Sequence, residues 1–395
     1  MTSIYLTVLG VCVAVVFYTY FGYPLLLKLL SVFRRGWALP PEPEEWPMIS
    51  ITVPAFNEEA TIRGTIDSLL ALDYPPDRRQ ILVVSDASTD RTDDIVREYA
   101  DRGVELFRVT DRAGKTAAEN AARGQLRGDI IVNTDASVRI RPDAIKALVR
   151  CFQDPGVGVA SGRDVSVGKE SESSNVGEKG YVGYEMWVRS LETNVLSIVQ
   201  ASGCLYATRR EIHDRVFPEH LTRDYGAPAL SREAGLRSVS VDQALCQVPR
   251  QKSLRKEYRR KTRTMTRGLK TVFYRRSLLN PFRHGLYAWM VFSHKICRWL
   301  VPVALVVGAA AVFGLATVER WAIPFAVAGG VVGLCAIAGW LWPNEDTTPK
   351  VFSVPAYLVI ANLAALNAWV NLFRGAQSAF WSPTRRESVG AGRAG

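Results

Sequence analysis

The sequence predicts an α/β domain built on a mostly parallel sheet, with helices long enough to cross a membrane before and after it in the chain. Two observations carry this prediction. Over residues 48–135, short apolar strands alternate with amphipathic helices, a rhythm that favours a parallel sheet covered on both faces. Outside the central region, long apolar segments are almost free of charged residues.

The first apolar segment covers residues 3–30 and has no charge before Lys28. It exceeds the roughly 20 helical residues needed to cross a hydrocarbon core. A cleaved signal peptide is the alternative, but the segment is too long and lacks both basic residues before its apolar run and a clear small-residue cleavage site. We therefore predict a retained transmembrane anchor over residues 1–35, followed by a linker rich in Pro and Glu over residues 36–47.

The central region is predicted to fold as strands and helices in alternation. Thr61 is the expected cap of the first helix after the anchor, because threonine favours that position. The predicted order is strand 49–54, helix 61–72, strand 81–86, helix 89–101, strand 104–109, helix 115–126 and strand 129–135.

Polar residues follow three of these strands: the first strand runs into "PAFNEE", the second into "SDASTD" and the fourth into "NTDAS". Asp and Asn favour helix caps and turns, so any one of these groups alone could be structural. In open parallel sheets, ligands bind beyond the carboxyl ends of the strands. Three polar strand ends at one edge therefore predict a binding site.

A strongly basic stretch follows the central region and contains one acid, Glu257. Helical spacing predicts two stripes, one apolar (Leu254, Tyr258, Met265, Leu269, Val272, Phe273) and one basic (Arg260, Arg263, Arg267, Lys270). Such a helix suits a membrane interface, with lipids as partner, or packs its apolar side on the central domain. A second aromatic and basic segment at 281–298 extends the predicted interfacial region to residues 251–298.

Three more apolar segments, 299–318, 321–342 and 351–373, predict C-terminal transmembrane helices over residues 299–374. The last contains three asparagines, so a buried core helix is the alternative there, and a helix that does not fully cross would suit the arginines of the tail. Four crossings are favoured overall, although arginines in the tail prefer the cytoplasmic side. The tail over residues 375–395 is predicted to be disordered.

Six motifs carry a family resemblance. In chain order they are "VPAFNEEATI", "VVSDASTDRT", "RAGKTAAENAA", "NTDAS", "SGCLYATRRE" and "TRDYG". This series resembles the membrane-bound family 2 glycosyltransferases, which include bacterial cellulose, poly-N-acetylglucosamine and hyaluronan synthases. The resemblance covers roughly residues 48–270. It implies a GT-A fold over residues 48–250 and inverting transfer from a nucleotide-diphospho-sugar, expected to be UDP-linked.

The resemblance also implies roles for single residues on the donor side. Pro54, Asn57 and Glu58 would line the nucleotide pocket, and Asp86 would contact the uracil or the ribose. Lys115 would approach the nucleotide.

Asp135 matches the metal-proximal aspartate of the family, with Ser137 as a second candidate ligand. Mg²⁺ or Mn²⁺ is the expected cofactor. Mg²⁺ often takes only one or two carboxylates and completes its shell with phosphate oxygens and water, so a single aspartate suffices.

On the acceptor side, Ser202 and Gly203 match the loop beneath the acceptor sugar, and Asp224 matches the catalytic base. Arg223 stands where the family has a glutamate. Inverting transfer needs one base for the acceptor hydroxyl, a role that a carboxylate can fill. A helix N-cap is the alternative role for Asp224.

The family motif "QxxRW" is degraded: Arg260 stands at the Gln, Arg263 at the Arg and Thr264 at the Trp. Arg263 can still bind a diphosphate. The missing Trp leaves two acceptors open, a growing polysaccharide exported through the C-terminal helices or a lipid that receives a single sugar. A non-catalytic membrane subunit is a third possibility. Nucleotide sugars are cytosolic, so the central domain should face the cytoplasm at a bacterial inner membrane, with no nucleic-acid partner.

Overall fold

The computed structural model of the chain describes residues 1–34, 36–167, 176–249, 253–343 and 348–375. The predicted disordered tail lies outside them from residue 376 onward. The described residues form two compact units. We call them the sheet unit, mainly residues 36–167 and 182–249, and the helical unit, mainly residues 1–34, 253–343 and 348–375.

The α-helices of the described residues are, in chain order, α1 Thr2–Phe17, α2 Tyr23–Val32, α3 Ile62–Leu70, α4 Thr92–Arg97, α5 Lys115–Ala122, α6 Ala144–Arg150, α7 Val176–Val195, α8 Arg210–His213, α9 Arg223–Glu233, α10 Leu254–Tyr274, α11 Pro281–His284, α12 Leu286–Val291, α13 Arg298–Ala316, α14 Ile323–Leu341 and α15 Lys350–Phe373.

The sheet unit is built on one eight-stranded mixed sheet in the order β3-β2-β1-β4-β7-β6-β8-β5. Its strands are β1 Ile49–Ala55, β2 Arg79–Ser85, β3 Val104–Arg108, β4 Ile130–Thr134, β5 Arg139–Ile140, β6 Val157–Val167, β7 Leu205–Arg209 and β8 Arg237–Pro249. The four strands from β3 to β4 are parallel, and β7 joins β4 antiparallel. The predicted α/β fold is confirmed.

The apolar residues of β1 explain its central place. All seven of its residues are buried, and Ile49, Ile51 and Val53 join the main core. A strand buried on both faces needs helices on both sides of the sheet. On the opposite face, Leu82 and Val84 of β2 pack with the alanines of α5.

Three helices end earlier than predicted: α3 at Leu70, α4 at Arg97 and α5 at Ala122. The last two are each followed within a few residues by a 3₁₀ turn. Thr61 stands at the N-cap of α3, but its hydroxyl donates to Glu58 Oε2 at 2.6 Å and caps no helix N–H. Side-chain hydrogen bonds of this kind compete with capping.

Four helical stretches of the helical unit are long and apolar enough to cross a membrane: Thr2–Val32, Leu286–Ala316, Arg320–Leu341 and Lys350–Phe373. The first joins α1 to α2, and the second joins α12 to α13, each through a π-helical turn. The segment predicted as interfacial at 281–298 therefore differs in the structure, since residues 286–298 are continuous with the helix that follows.

Helix α10 carries the predicted apolar and basic stripes, and its apolar side packs on α15. Leu254 and Tyr258 cluster with Ala356, Tyr357 and Ile360 of α15. At the other end, the rings of Phe273 and Trp369 lie 5.9 Å apart. A helix of its own unit therefore covers the apolar stripe of α10.

Candidate active site

The candidate site begins where β1 separates from its neighbour β4. The pairing of β1 with β4 ends at Thr52, whereas its pairing with β2 continues to Ala55. Pro54 lies beyond the last β4 pair, so its missing N–H interrupts no ladder there. Such a separation of strands marks the ligand crevice of open α/β sheets.

The loops after β1 and β2 are joined by side-chain hydrogen bonds. Asn57 Oδ1 accepts from the N–H of Thr89 at 2.8 Å, and the N–H of Glu58 donates to Thr92 Oγ1 at 2.8 Å. Among the described residues other than glycine, only Asn57 (φ 53°) and Ala87 (φ 55°) have positive φ. Asn57 and Glu58, predicted to line the nucleotide pocket, thus shape this loop pair.

Asp86 is almost fully buried and holds the loop that precedes α5. Its two carboxylate oxygens accept from the N–H groups of Ala113 and Gly114, both at 2.9 Å. Gly114 has φ 96°, a conformation that favours glycine. Asp86 thereby fixes the start of α5, whose first residue is Lys115. Contact of Asp86 with the nucleotide base stays a prediction.

Lys115 and Asp135 form an ion pair at the edge of the sheet. Lys115 Nζ lies 2.6 Å from Asp135 Oδ1, and the two side chains are 22% and 27% exposed. Burial alone would lower the pKa of Lys115, but the carboxylates of Asp135 and Glu119 outweigh it and raise that pKa. The ammonium therefore stays charged at neutral pH.

The predicted metal ligands Asp135 and Ser137 differ in exposure, since Ser137 is only 6% exposed. In the part of the chain that the structure describes, no three His, Cys, Asp or Glu residues form a metal-binding group. One carboxylate still fits Mg²⁺ or Mn²⁺ when a diphosphate and water supply the other oxygens. The ion pair with Lys115 also shows that Asp135 attracts a cation.

The loop that contains Ser202 and Gly203, residues 200–204, is held between two carboxylates. On one side, Gln200 Nε2 donates to Asp224 Oδ2 at 2.8 Å. On the other side, Ser202 Oγ donates to Asp164 Oδ1 at 2.5 Å. A Cβ on Gly203 would lie 3.6 Å from Asp224 Oδ2, so this loop faces the predicted base directly.

Sequence reasoning missed both Gln200 and Asp164. Burial raises the pKa of Asp164; the charge of Asp135 adds to this effect, whereas Arg189 and Ser202 oppose it. The negative charge of Asp135 thus disfavours the ionised form of Asp164. Asp164 comes from β6 and not from a position two residues after Asp135, so only strand pairing reveals it.

Asp224 is the second residue of α9, and Thr222 stands at the N-cap, so Asp224 is not the cap. Gly226 and Asp224 share the first turn of that helix. The Asp224 carboxylate lies beside the 200–204 loop. The backbone C=O of Asp224 also accepts from the N–H of Ala201 in that loop at 3.0 Å.

Arg223 docks α9 on α5. Its Nη2 donates to Asn120 Oδ1 at 2.5 Å, and its Nη1 donates to the C=O of His213 at 3.2 Å. Its Nε lies 3.5 Å from Glu119 Oε2. Glu119 and Asn120 belong to α5, the helix that begins with Lys115. The residue that breaks the family pattern thus joins the helix of the predicted base to the helix of the predicted donor lysine.

Buried Tyr206 links the two sides of the site electrostatically. Burial and Glu119 raise the pKa of Tyr206, Lys115 lowers it and Asp224 raises it. Thr134, next to Asp135, donates its hydroxyl to the C=O of Cys204 in the 200–204 loop at 2.9 Å. The structure brings Lys115, Asp135, Asp224 and the 200–204 loop into one region.

Arg260 and Arg263, predicted to bind the donor, lie on α10 in the helical unit. Arg260 is ion-paired with Glu257 of the same helix at 2.7 Å. Burial raises the pKa of Glu257, but the positive charges of Arg260 and Lys261 outweigh that effect and lower it to about 2. The role of both arginines at the donor stays a prediction.

Comparison with known proteins finds similarity to glycosyltransferases. The profile described as "Glycosyl transferase family 2" matches residues 50–217. An N-acetylglucosaminyltransferase of Rhizobium meliloti is 26% identical over 310 residues, which cover 72% of this chain and 70% of that protein.

Two further relatives align over shorter stretches. A probable glycosyltransferase of Bacillus subtilis is 39% identical over 98 residues, 24% of this chain and 23% of that protein. A beta-monoglucosyldiacylglycerol synthase of Synechocystis is 34% identical over 117 residues, 29% of this chain and 24% of that protein. The chain thus matches about a quarter of the length of these two relatives.

Among solved structures, a mannosyltransferase from Pyrobaculum calidifontis, in complex with GDP-Man and Mn²⁺, superposes with a TM-score of 0.67 at 24% identity. The match covers 91% of this chain and 99% of that one. This likeness confirms the GT-A fold. Residues 50–217 are thus similar to the family 2 glycosyltransferases.

Proposed function

We propose that the protein transfers a sugar, with inversion, from a nucleotide-diphospho-sugar to a growing saccharide at a membrane. The observation that carries this proposal is the position of Asp224, whose Oδ2 would lie only 3.6 Å from a Cβ placed on Gly203 of the 200–204 loop. Lys115 and Asp135 form an ion pair at 2.6 Å, and Thr134, next to Asp135, donates to the C=O of Cys204 in the same loop at 2.9 Å. A base and a diphosphate-binding pair beside one loop match the needs of inverting transfer.

Asp224 would act as the base. An acceptor hydroxyl on the 200–204 loop would give its proton to the Asp224 carboxylate as its oxygen attacks the anomeric carbon. Gln200 donates its amide N–H to Oδ2, so Oδ1 would accept the proton of the acceptor hydroxyl. Because the attack comes from the face opposite the leaving diphosphate, one base is enough and the configuration inverts.

Lys115 and Asp135 would serve the leaving group. The Lys115 ammonium would move from Asp135 to a phosphate oxygen and offset the charge that develops there. Asp135 would hold Mg²⁺ or Mn²⁺ together with the diphosphate. Such a metal, when bound, neutralises the leaving diphosphate. Arg263 of α10 is a further candidate to neutralise the negative charge of the leaving diphosphate.

Asn57, Glu58 and Asp86 would form the nucleotide pocket with Pro54. Their loops are already joined by hydrogen bonds, so the pocket walls need little rearrangement. We infer a UDP-linked donor from the family resemblance, and GDP-Man enters as a rival because the Pyrobaculum calidifontis mannosyltransferase binds it.

A single transfer to a lipid acceptor is the second candidate function. Thr264 stands where polymer-forming members of the family have the acceptor-supporting Trp. One relative is named for a glycolipid product, beta-monoglucosyldiacylglycerol. For either acceptor we infer a bacterial inner membrane with the sheet unit in the cytoplasm, because nucleotide sugars are cytosolic.

Product sizing separates the two acceptors. Purified full-length protein in bilayer nanodiscs would receive labelled UDP-glucose, UDP-N-acetylglucosamine or GDP-Man, each with Mg²⁺ or Mn²⁺. A ladder of lengthening products supports the saccharide acceptor, whereas one product that extracts into organic solvent supports the lipid. If the protein neither transferred the sugar of any donor nor hydrolysed any donor, that result would contradict the proposed reaction.

The base assignment has its own test. Asp224→Asn keeps the hydrogen bond from Gln200 but removes the basic carboxylate. We expect transfer to fall about 10²- to 10⁴-fold, the usual contribution of a general base, while binding of the donor nucleotide changes less than twofold. Asp242→Asn, at an exposed carboxylate of β8, is the matched control. Turnover retained in Asp224→Asn would remove Asp224 from its role.

A further inference from the structure

Helix α1 runs antiparallel to α13, and its contacts define two faces of the helical unit. Thr2 Oγ1 donates to Glu319 Oε1 at 3.1 Å, just after the end of α13. Tyr18 OH lies 2.6 Å from Ser293 Oγ, just before α13 begins. We call the Thr2 end the far face and the Tyr18 end the near face.

Helix α14 begins at the far face, and its 19 apolar residues are long enough to return to the near face. It follows α13 after a short turn over residues 317–322, so it begins beside Glu319 and ends at Leu341. The start of α13, near Trp299, and the end of α14 therefore both mark the near face.

The two ends of α15 contact these two near-face positions. At its beginning, a Cβ on Gly339 of α14 would lie 2.9 Å from Ala356 Cβ, and the rings of Trp342 and Phe352 stack at 5.5 Å. Near its end, Trp369 Nε1 donates to the C=O of Trp299 at 2.9 Å. Both ends of α15 thus contact the near face.

The length of α15 makes this arrangement informative. Phe352 and Trp369 are about 25 Å apart along a helix that rises 1.5 Å per residue. A hydrocarbon core is only about 30 Å thick. A crossing helix would place these two residues near opposite faces, whereas Trp342 and Trp299 hold both of them at one face.

Helix α10 follows α15 along its length. Leu254 packs against Ala356 and Ile360, while Tyr258 OH accepts from Asn367 Nδ2 at 3.0 Å. Eight basic residues of α10 stand against one acid: Arg255, Lys256, Arg259, Arg260, Lys261, Arg263, Arg267 and Lys270 against Glu257. Charges are costly at the bilayer centre, so a crossing α15 would draw this basic helix into hydrocarbon.

The surface of α15 divides into two sides. One side is buried and consists mostly of small residues; its members include Ser353, Ala356, Ala364, Ala365 and Ala368. The other side exposes large apolar residues; they are Val351, Leu358, Val359, Leu363, Val370 and Phe373. The exposed side of α15 is therefore available to acyl chains, while its small residues allow α10 and α14 to pack closely on the buried side.

We propose that α15 lies along the near face of the membrane and that three helical stretches, not four, cross it. Its exposed apolar side contacts acyl chains at the lipid surface, and α10 covers its other side. The partner of this surface is the phospholipid bilayer itself. Hydropathy alone favours a crossing at 350–373, and the contacts at both ends of α15 oppose it.

The proposal predicts the side on which each terminus lies. With three crossings, the N-terminus and the C-terminus lie on opposite sides, whereas four crossings place them on the same side. Full-length protein with a different epitope at each terminus would be assayed in sealed right-side-out and inverted vesicles. We expect one epitope to be cleaved by added protease in each orientation. Cleavage of both epitopes in the same orientation would overturn the proposal.

A pair of matched substitutions tests the depth of α15 directly. Leu363 of α15 and Val332 of α14 lie near the middle of their helices and are 49% and 52% exposed. Val332→Lys puts a charge at the centre of a crossing helix and should lower the amount of inserted protein at least about tenfold. In Leu363→Lys, the new lysine can extend its ammonium to the headgroups, so the amount of inserted protein should change less than twofold. An equal loss in both variants would show that α15 crosses.

Discussion

The side-chain amide of Gln200 donates to Oδ2 of Asp224 at 2.8 Å. A neutral donor orients a carboxylate without cancelling its charge, in contrast to an Arg or Lys partner, which would stabilise the ionised form strongly. The same loop contributes Gly203, whose Cα faces Asp224. Gln200 thus lets the predicted base keep a fixed direction toward the acceptor loop.

Gln200→Leu keeps much of the volume and removes the donor. A hydrogen bond to a charged group is worth about 1.5–3 kcal/mol, so we expect kcat to fall about 10- to 100-fold. KM for the sugar nucleotide should change less than twofold. Gln243→Leu, at an exposed residue of β8, is the matched control. A rise in KM without loss of kcat would show that Gln200 serves donor binding instead.

Lys115→Ala removes the ammonium that pairs with Asp135 Oδ1. We expect Mn²⁺, without nucleotide, to bind this variant more tightly than the wild type, because a competing cation is gone. Transfer should nevertheless fall, since the diphosphate loses a positive charge. Paramagnetic titration of free Mn²⁺ measures the first effect and sugar transfer the second.

Lys146→Ala is the control for Lys115→Ala, because Lys146 also pairs with an aspartate, Asp73, at 2.9 Å. That variant should leave both Mn²⁺ binding and transfer unchanged. Asp135→Ala should lose metal-dependent donor binding altogether. If Lys115→Ala weakened Mn²⁺ binding, the ammonium would not be a competitor for the metal.

Arg223→Met leaves Glu119 buried beside an apolar side chain. Breaking a buried ion pair typically costs about 3–5 kcal/mol, whereas replacing both partners with apolar residues is often neutral. We therefore expect Arg223→Met to be strongly destabilised and Glu119→Leu combined with Arg223→Met to recover stability in urea unfolding. The double variant should still transfer sugar at least about tenfold more slowly, because α9 loses its hydrogen bond to Asn120 on α5.

Arg223→Lys complements the double variant. It keeps the charge but loses the fork that reaches Asn120 and His213. Slow transfer with near-normal stability in this variant would mark Arg223 as a positioning residue. Full activity in the stable double variant would reduce Arg223 to a purely structural role.

His213 predicts a pH dependence of stability. Burial, together with the charges of Arg223 and Arg123, lowers its pKa to about 4, although Asp214 acts in the opposite direction. The unfolded chain binds this proton near pH 6.5 and the folded chain near pH 4. Stability is therefore lost as the pH falls through this window, by about 1.4 kcal/mol per pH unit.

His213→Gln replaces the imidazole with a side chain that does not titrate, so its stability lacks this pH dependence. We expect the wild type to lose thermal stability faster than His213→Gln between pH 6.5 and pH 4, measured by intrinsic fluorescence. Parallel curves for the two proteins would mean that His213 takes up its proton equally in the folded state. A conservative variant elsewhere in the same helix, Glu211→Gln, supplies the control, since Glu211 is exposed.

The sheet edge could be predicted because it depends on local pattern. Apolar strands that end in Asn57, Asp86 and Asp135 must bring those residues to one edge once the strands run parallel. β1, β2 and β4 pair in this way. Element ends were harder, and α4 stops at Arg97 where the sequence favoured a longer helix.

The rest of the site depends on contacts between distant parts of the chain. Asp164 reaches Ser202 because β6 pairs with β7, and Arg223 meets Glu119 because α9 docks on α5. Neither pair has a recognisable spacing in the sequence. Hydropathy describes α15 by composition alone and therefore cannot tell a helix that crosses a bilayer from one that lies on it.

The left-handed residues Asn57 and Ala87 have a consequence for the kinetics of nucleotide binding. Protein hydrogen bonds secure the strained backbone of both loops: Asn57 Oδ1 accepts from the N–H of Thr89, and the N–H of Glu58 donates to Thr92 Oγ1. The ordering of these loops thus belongs to folding, and association of a nucleotide with them should proceed in one fast phase with no slow rearrangement.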